Sequence, residues 1–394
     1  MSLLSEYDIV GVESLQIDGY DNAIQATIRF HHLHGEIKMK MLDIKNTALW
    51  DDFDCLENDC NSWFKKLKNI DALLNMGVSG WVIPVNVEPM TRVLGDKYVY
   101  ENGLYIAILF KAVFIYDDIA ETGDIEYILD IKNQLFVMID YLRDNKDKTL
   151  QNFFEINKEA EKAYNKVVAI QIIADVFEKH APFRYNAQMH RYFQAYFQST
   201  ILESAVTNGV RLSSLSTLYL REWVTGMSWS HGMNSANANI DSDFYWQKYI
   251  GFQLCWRLTT QYVTFANDIL SCAKEYRDGI KLNVVISEMK DSGINMMSAI
   301  SHCNTILNKI FDDYFACKKM LLQTVDWEDK VDIENLCILL EGAMACPIWH
   351  FRSPRYNLGV RVPNGQVFKD FSKMMIEMKI KASKLQEKEN LFTI

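Results

Sequence analysis

Two long stretches of this 394-residue sequence contain no proline, and this absence constrains the fold more than any other feature. No proline occurs between Pro89 and Pro182, or between Pro182 and Pro347. A proline inside a helix removes a backbone hydrogen bond and clashes with the preceding turn, so long proline-free stretches with few glycines favour helices. We therefore predict an all-α protein.

Apolar side chains recur at three- and four-residue steps, which divides the sequence into helical segments. No repeat, low-complexity tract or recognisable linker separates them, so residues 1–394 are predicted to form one domain. Residues 78–89 are predicted to break the helical pattern, because Gly80, Pro84 and Pro89 interrupt it. The predicted helices include residues 47–76, 90–116, 124–143, 151–180, 185–206, 251–278, 283–325, 329–346 and 366–388.

Charge and composition argue against several classes of protein. The formal net charge is −10, which disfavours binding to nucleic acid or to an anionic membrane surface. The eight cysteines show no CxxC pairing, so we expect reduced and mostly buried thiols. Neither a secretory leader nor an apolar run long enough to span a membrane is recognisable. We expect a cytoplasmic protein without a stable membrane anchor, either a monomer or a homodimer.

Residues 1–45 differ from the rest of the chain and form a predicted N-terminal extension. Residues 24–30 alternate between apolar and polar side chains, a period of two that is typical of a short strand. His31, His32 and His34 follow directly. A metal site there would lack a cysteine or a spaced carboxylate to complete it, so we favour a surface segment over a metal site.

Three oxygen-bearing side chains, Asn267, Ser271 and Glu275, follow one another at four-residue intervals. On an α-helix such positions lie on one face. An amide oxygen, a hydroxyl and a carboxylate are hard donors that suit Mg²⁺ or Mn²⁺, and the cation of Lys274 could reach an anion held by the metal. The alternative is an ordinary amphipathic helix whose polar face meets water.

A second acidic stretch follows a long apolar run. Residues 103–116 contain one charged side chain, Lys111, and lead directly into Asp117. Asp117 and Glu121 would share one helix face. Carboxylates at the edge of an apolar lining are costly unless a metal or a cation compensates them. The alternative is a helix that emerges into solvent at Asp117.

Together the two stretches resemble the metal-binding motifs of class I terpene synthases. Asp117, Asp118 and Glu121 meet the aspartate-rich pattern, and residues 267–275 meet the Asn-Ser-Glu pattern NDxxSxxKE at every position. Two further family features stand at the expected spacings. Arg221 lies 46 residues before the motif asparagine, where the family has a diphosphate-sensing arginine. An Arg-Tyr pair follows a tryptophan by six residues, and the residues that match this feature are Trp349, Arg355 and Tyr356.

The family also has a helix break beside the sensing arginine, and Gly226 is predicted to break the helix that carries Arg221. Val224 and Thr225 occupy the family's linker and effector positions, where the usual residues differ. The resemblance therefore extends to the sensing arginine but not to the residues of the linker and effector positions.

The resemblance implies the class I terpenoid synthase fold, a helical bundle around a central pocket, and a prenyl diphosphate substrate. It implies three Mg²⁺ ions, for which Mn²⁺ can substitute. The implied metal ligands are Asp117, Asn267, Ser271 and Glu275. The implied diphosphate-binding residues are Arg221, Lys274, Arg355 and Tyr356. The implied lining residues are Phe114 and Trp349. The resemblance places Asp118 behind the ligands, leaves the role of Glu121 open, and allows residues 1–45 to cover the mouth of the pocket.

Several alternatives remain beside this interpretation. Geranylgeranyl diphosphate is favoured as substrate over farnesyl diphosphate, because the long N-terminal region resembles octocoral enzymes that form diterpenes. A chain-elongating prenyltransferase would need a second aspartate-rich motif, and Asp312-Asp313 lacks the acidic partner. A class II cyclase would need a DxDD motif, which the sequence lacks. A non-catalytic helical binding protein is the alternative from another class.

Overall fold

A computed structural model describes residues 7–17, 22–43, 53–64, 79–95, 99–120, 124–277 and 279–352. These residues are mostly helical, and the predicted all-α class is confirmed. In chain order the α-helices are α1 (Phe53–Phe64), α2 (Ser79–Val82), α3 (Glu88–Leu94), α4 (Val99–Ala120), α5 (Ile125–Asp144), α6 (Leu150–Ile156), α7 (Lys158–Lys166), α8 (Val168–Lys179), α9 (Ala181–Tyr185), α10 (Ala187–Thr207), α11 (Ser214–Val224), α12 (Met227–Asn237), α13 (Ser242–Lys248), α14 (Ile250–Arg277), α15 (Val284–Ser292), α16 (Met296–Thr324), α17 (Lys330–Glu341) and α18 (Pro347–Arg352).

A three-stranded antiparallel sheet precedes the helices, with its strands in the order of the sequence. The strands are β1 (Tyr7–Ser14), β2 (Ala23–Phe30) and β3 (Gly35–Leu42). β2 confirms the predicted strand over residues 24–30, whereas β1 and β3 were not predicted. His31, His32 and His34 are exposed in the turn between β2 and β3, as expected for a surface segment.

The sheet is fastened to the helical bundle through β3. The Lys40 ammonium forms an ion pair with Asp312 of α16 at 2.7 Å, and its backbone N–H donates to Asn308 at 2.8 Å. The Lys40 carbonyl accepts a hydrogen bond from the Tyr262 hydroxyl of α14 at 2.7 Å. These contacts attach β3 to the two longest helices. The single-domain division and the position of residues 1–45 over the pocket mouth stay predictions.

α4 and α14 are the two helices around which the bundle is arranged. α4 packs against α1 and α8, and most of its described side chains are buried. Its buried cation, Lys111, is compensated by Glu57 and Asn61 of α1. α14 packs along α16, and the apolar faces of both helices belong to one continuous hydrophobic core. The two helices also contribute to the same pocket.

Two predicted boundaries near proline and asparagine are wrong. Residues 79–89 are helical. A π-helical turn (Ile83–Val87), with Pro84 as its second residue, joins α2 to α3. Pro84 lacks the N–H that an α-helical turn would use at this position, and the wider π-helical turn accommodates it without ending the helix. The predicted helix over residues 151–180 is divided into three, and the Asn157 side chain caps the second of them by accepting from the Ala160 N–H.

Glycine produces three further interruptions, of which one was predicted. The predicted helix over residues 90–116 is interrupted at Gly95, which has a φ of 80° and ends α3. The predicted helix over residues 283–325 is split at Gly293, which has a φ of 64° and ends α15. The break after Arg221 is confirmed, since Gly226 separates α11 from α12 with a φ of 73°. A Cβ atom at Gly226 would lie 2.5 Å from the indole nitrogen of Trp229, so this break requires glycine.

Two expectations about composition agree with the described residues. None of the described helices is both long and apolar enough to cross a bilayer. The cysteines whose side chains are described are all buried and free of disulfides. They are Cys60, Cys255, Cys272, Cys303, Cys317, Cys337 and Cys346.

Candidate active site

Most of the predicted site residues line one pocket. Those that do so are Phe114, Asp117, Arg221, Asn267, Lys274, Glu275 and Trp349. Along α4 the lining passes from Phe110 to Asp117, and along α14 it passes from Val263 to Glu275. The pocket therefore has an apolar end and a polar end. The structure brings the two predicted motifs, 150 residues apart in the chain, to the same polar end.

The polar face of α14 carries Asn267, Ser271 and Glu275, as the spacing predicts. Ser271 is 1% exposed, and its hydroxyl has no hydrogen-bond partner among the described residues. A buried polar group without a partner costs about 1–3 kcal/mol, so this hydroxyl is a strong candidate for a ligand contact. The Glu275 carboxylate accepts a hydrogen bond from the Asn283 amide at 2.9 Å, which fixes its position beside the start of α15.

Arg221 approaches α14 as a forked donor. Its Nη2 and Nε atoms lie 2.5 and 3.3 Å from the two oxygens of Asp268, and Nη2 lies 3.1 Å from Asn267 Oδ1. Asp268 is fully buried and also accepts the Val284 N–H at 2.7 Å. Burial raises the pKa of Asp268, and Arg221 opposes the rise. Burial acts to lower the pKa of Arg221, but the carboxylates of Asp268 and Glu275 raise it above its ordinary value, so the guanidinium stays charged.

The opposite wall places Asp117 beside a phenol and a carboxylate of α10. The Tyr196 hydroxyl donates to Asp117 Oδ1 at 3.4 Å, and Glu203 lies two turns further along the same helix. Both residues line the pocket. Burial raises the pKa of Tyr196 well above its ordinary value, and Asp117 and Glu203 add to the rise. The phenol therefore stays protonated and acts as a donor to Asp117.

Aromatic rings form the apolar end of the pocket. Phe114 stacks on Trp349, with ring centroids 5.3 Å apart and planes inclined by 14°. Trp349 meets Trp81 edge to face at 5.2 Å, and Phe110 lies 4.6 Å from Trp229. Both Trp349 and Trp229 are about 1% exposed, so the surrounding core fixes their orientation. The predicted lining residues thus belong to an extended aromatic cluster.

His350, the neighbour of Trp349 on α18, also reaches α14. Its Nε2 atom lies 3.2 Å from the Asn267 amide nitrogen, and its Nδ1 atom lies 3.2 Å from the Cys346 carbonyl oxygen. Burial lowers the pKa of His350 to about 3, so the ring is neutral. α18 therefore places Trp349 in the pocket wall and His350 in contact with the predicted metal-binding helix.

Some predicted residues fall outside this description, and some residues at the site were not predicted. Arg355, Tyr356, Glu121 and the side chain of Asp118 lie outside the described residues. The residues to which the sequence reading gave no role at the site are Tyr196, Glu203, Asp268, Asn283 and His350. Asp268 could have been found from the sequence, because it is the second residue of the Asn-Ser-Glu motif. Tyr196 and Glu203 come from α10, His350 from α18 and Asn283 from the cap of α15, and no local spacing marks these four.

The donor set fits a hard divalent cation. Asn267 and Glu275 line one wall with amide and carboxylate oxygens, and Asp117 supplies a carboxylate on the other. Ser271 does not line the pocket, because its hydroxyl is buried on the same helix face between Asn267 and Glu275. The unpartnered hydroxyl of Ser271 would gain a partner in such an ion. The described residues contain no cluster of three His, Cys, Asp or Glu side chains placed to hold a metal ion.

A helical bundle whose central pocket joins an aspartate-bearing helix to an Asn-Ser-Glu helix defines the class I isoprenoid synthase fold. Solved structures with this fold are similar to the chain. They include a single-substitution variant of cucumene synthase (12% identity, TM-score 0.58, 77% of this chain and 96% of that chain), linalool/nerolidol synthase from Streptomyces clavuligerus (13%, 0.55, 76% and 94%) and the SVS_A2 protein from ancestral sequence reconstruction (11%, 0.56, 76% and 86%). At these identities the likeness establishes the fold alone.

The family follows from the sequence itself. A family model described as terpene synthase family 2, C-terminal metal binding, matches residues 109–313, which is just over half of the chain. The protein therefore belongs to the terpene synthase family. A comparison with curated proteins finds no match.

Proposed function

We propose that this protein is a Mg²⁺-dependent class I terpene synthase, which ionises a linear prenyl diphosphate and cyclises the resulting carbocation to a terpene hydrocarbon or alcohol. The observation that carries the proposal is one pocket lined by Asp117 from α4 and by Asn267 and Glu275 from α14, with aromatic rings beyond them. A non-catalytic helical binding protein would not need oxygen donors on two facing helices.

The metal ligands in this proposal are Asp117, Asn267, Ser271 and Glu275. Three Mg²⁺ ions, or Mn²⁺ ions in their place, would neutralise the diphosphate and make it a better leaving group when bound. The chain's own contribution is to fix the donors before substrate arrives. Asn283 holds Glu275, and Tyr196 donates to Asp117, so neither carboxylate has to be reoriented from solvent.

Arg221 and Lys274 are proposed to bind the diphosphate, and both line the polar end of the pocket. The charged, forked guanidinium of Arg221 suits phosphate oxygens, while Lys274 acts as a mobile point charge. Arg355 and Tyr356 are proposed to join them. The basis is the spacing of this pair, whose arginine follows Trp349 by six residues. Together these donors would stabilise negative charge as it develops on the leaving diphosphate.

When the C–O bond breaks, both electrons leave with the diphosphate oxygen and an allylic cation remains. The pocket must then exclude water and offer only weak nucleophiles. Aromatic faces stabilise a cation by roughly 0.5–2 kcal/mol without reacting with it. Phe114 and Trp349 are proposed to supply these faces nearest the polar end. Loss of a proton to the released diphosphate would give a hydrocarbon, and capture of water would give an alcohol.

Geranylgeranyl diphosphate is the proposed substrate, with a diterpene as the product, and farnesyl diphosphate is the alternative. The preference rests on the resemblance of the long N-terminal region to octocoral enzymes. The test is to incubate purified protein with geranyl, farnesyl and geranylgeranyl diphosphate in Mg²⁺ and to analyse the products by gas chromatography with mass detection. A cyclic product from the twenty-carbon substrate supports the full proposal, and one from the fifteen-carbon substrate alone supports the alternative.

Asn267→Leu is the control for that assay. The variant removes one proposed ligand and should lower every product by at least ~10²-fold, as expected for loss of an electrostatic stabiliser. If wild-type protein binds the diphosphates but forms no product from any of them, the binding-protein alternative would be favoured instead.

A further inference from the structure

The amide of Asn267 lies between two groups that together determine which way it points. Arg221 Nη2 lies 3.1 Å from its Oδ1 atom, and His350 Nε2 lies 3.2 Å from its Nδ2 atom. An arginine has donors and no acceptor, so it must face the amide oxygen. The amide nitrogen, which is a donor, then faces His350. The imidazole Nε2 must therefore be an acceptor.

The other side of the imidazole completes this assignment. His350 Nδ1 lies 3.2 Å from the Cys346 carbonyl oxygen, which is an acceptor only. The ring proton therefore belongs on Nδ1, which donates to Cys346, and Nε2 keeps its lone pair for Asn267. His350 is fully buried, so water does not compete for either nitrogen. The hydrogen bonds therefore run in series from the Cys346 carbonyl through His350 and Asn267 to Arg221, and each has one donor and one acceptor.

We propose that His350 is a positioning residue that holds the Asn267 amide with its oxygen directed to the metal site. An amide turned by 180° would present N–H groups there, which have no lone pair for a cation. This inference rests on the proposed function, because it assumes that Asn267 binds a metal ion.

A second group is needed to hold the Asn267 amide, because Arg221 is proposed to bind the diphosphate. If Arg221 engages the diphosphate, its Nη2 atom has a competing anion, and its bond to Asn267 weakens when substrate binds. His350 is fully buried and is anchored to the backbone of its own helix, so the incoming diphosphate does not displace it. It can keep the amide oriented throughout the reaction. Outer-shell groups of this kind typically change metal affinity 10- to 100-fold.

Two amide substitutions separate this role from simple packing. In His350→Gln the side-chain oxygen can take the place of Nε2 and accept from Asn267. His350→Asn is one methylene shorter, stays polar, and ends short of Asn267. Each is measured by titrating Mn²⁺ in the presence of inorganic diphosphate, followed by electron paramagnetic resonance, with the melting temperature recorded alongside.

His231 provides a matched control. It is also a buried histidine, and its Nε2 atom contacts the Thr259 hydroxyl of α14 at 3.1 Å, about two turns before Asn267. His231→Asn should lower the melting temperature without changing the affinity for Mn²⁺.

The expected result is that His350→Asn raises the dissociation constant for Mn²⁺ at least ~10-fold, while His350→Gln and His231→Asn stay within about threefold of wild type. Equal affinities in His350→Asn and wild type would overturn the proposal, and so would a His350→Gln variant that folds but binds Mn²⁺ ~10-fold more weakly. Failure of the wild-type protein to bind Mn²⁺ with diphosphate would instead contradict the proposed function itself.

Discussion

Arg221 donates hydrogen bonds to both carboxylate oxygens of Asp268, with Nη2 2.5 Å from Oδ1 and Nε 3.3 Å from Oδ2. Asp268 is fully buried, and its second oxygen also accepts the N–H of Val284 at the start of α15. One carboxylate therefore connects three helices, α11, α14 and α15. Because it lies beside Asn267, it also positions the guanidinium next to the proposed metal site.

Replacing Asp268 by Asn should destabilise the fold by about 3–5 kcal/mol, because it leaves Arg221 charged and buried without its main partner. Chemical unfolding checks this expectation. Arg257→Gln serves as the control, since Arg257 pairs with Glu222 at 3.3 Å but its side chain is 47% exposed. Exposed pairs contribute about 0–1 kcal/mol. Equal losses in the two variants would contradict a structural role for the Arg221–Asp268 pair.

Replacing Ser271 by Ala should leave the stability of the metal-free protein unchanged or slightly higher, because the hydroxyl is buried and has no partner among the described residues. The same variant should lose most of the stabilisation that Mg²⁺ plus diphosphate gives to wild type. Thermal unfolding with and without these ligands measures both effects.

Ser235→Ala is the comparison for this prediction. Ser235 is equally buried, but its hydroxyl donates to the His231 carbonyl at 2.9 Å. Its loss should cost about 0.5–1.5 kcal/mol and leave the ligand effect intact. A Ser271→Ala variant that retains the full ligand stabilisation would remove Ser271 from the proposed metal ligands.

Replacing Phe114 by Leu should change the products more than the rate. The ring stacks on Trp349 and lies one helical turn before Asp117, so its face is the first one available to a cation next to the departing diphosphate. Leucine keeps the apolar bulk but removes that face. We expect acyclic or earlier-quenched products to increase, while diphosphate release changes by less than about thirtyfold, as the ~0.5–2 kcal/mol of cation–π stabilisation implies.

Phe153→Leu is the matching control, because Phe153 is buried against Tyr141 outside the pocket. It should lower stability without altering the ratio of products. The same product profile in wild type and Phe114→Leu would assign Phe114 to ordinary core packing.

Burial raises the pKa of Glu88 to about 7 from an ordinary value of 4.5, although Arg92 lies nearby and opposes the rise. The folded state therefore binds this proton more tightly than the unfolded state. The sign follows from linkage: the fold loses stability as the pH rises from about 4.5 to about 7. Glu88→Gln should avoid that loss and be more stable than wild type at pH 8, by up to about 3 kcal/mol.

The difference between Glu88→Gln and wild type should vanish near pH 4.5, and unfolding experiments across this range measure it. Glu155→Gln, at an exposed position on α6, should have the same stability as wild type across this pH range. A Glu88→Gln variant less stable than wild type at pH 8 would mean that the ion pair with Arg92 outweighs the cost of burial.

The sequence was most informative where a local pattern determines the structure. The four-residue spacing of Asn267, Ser271 and Glu275 requires one helix face, and Gly226 interrupts a helix because its backbone has a positive φ. Pro84 misled the prediction for the opposite reason. A proline usually breaks the middle of a helix, but here a π-helical turn accommodates it, and sequence alone does not indicate where such a turn forms.

The remaining parts of the site depend on contacts between distant segments. Tyr196 reaches Asp117 across 79 positions, and His350 reaches Asn267 across 83. Neither contact has a local spacing that could reveal it. β3 was missed although its own pattern indicates a strand, since Ile37, Met39 and Met41 alternate with lysines and are buried.

The central claim is that divalent ions held between α4 and α14 drive the departure of diphosphate. Its most direct test is to measure diphosphate release from geranylgeranyl and farnesyl diphosphate by purified protein, first in Mg²⁺, then in excess chelator, and finally after Mg²⁺ is restored. We predict release in Mg²⁺, none above background in chelator, and full recovery when the ion returns. Undiminished release in chelator would contradict the claim.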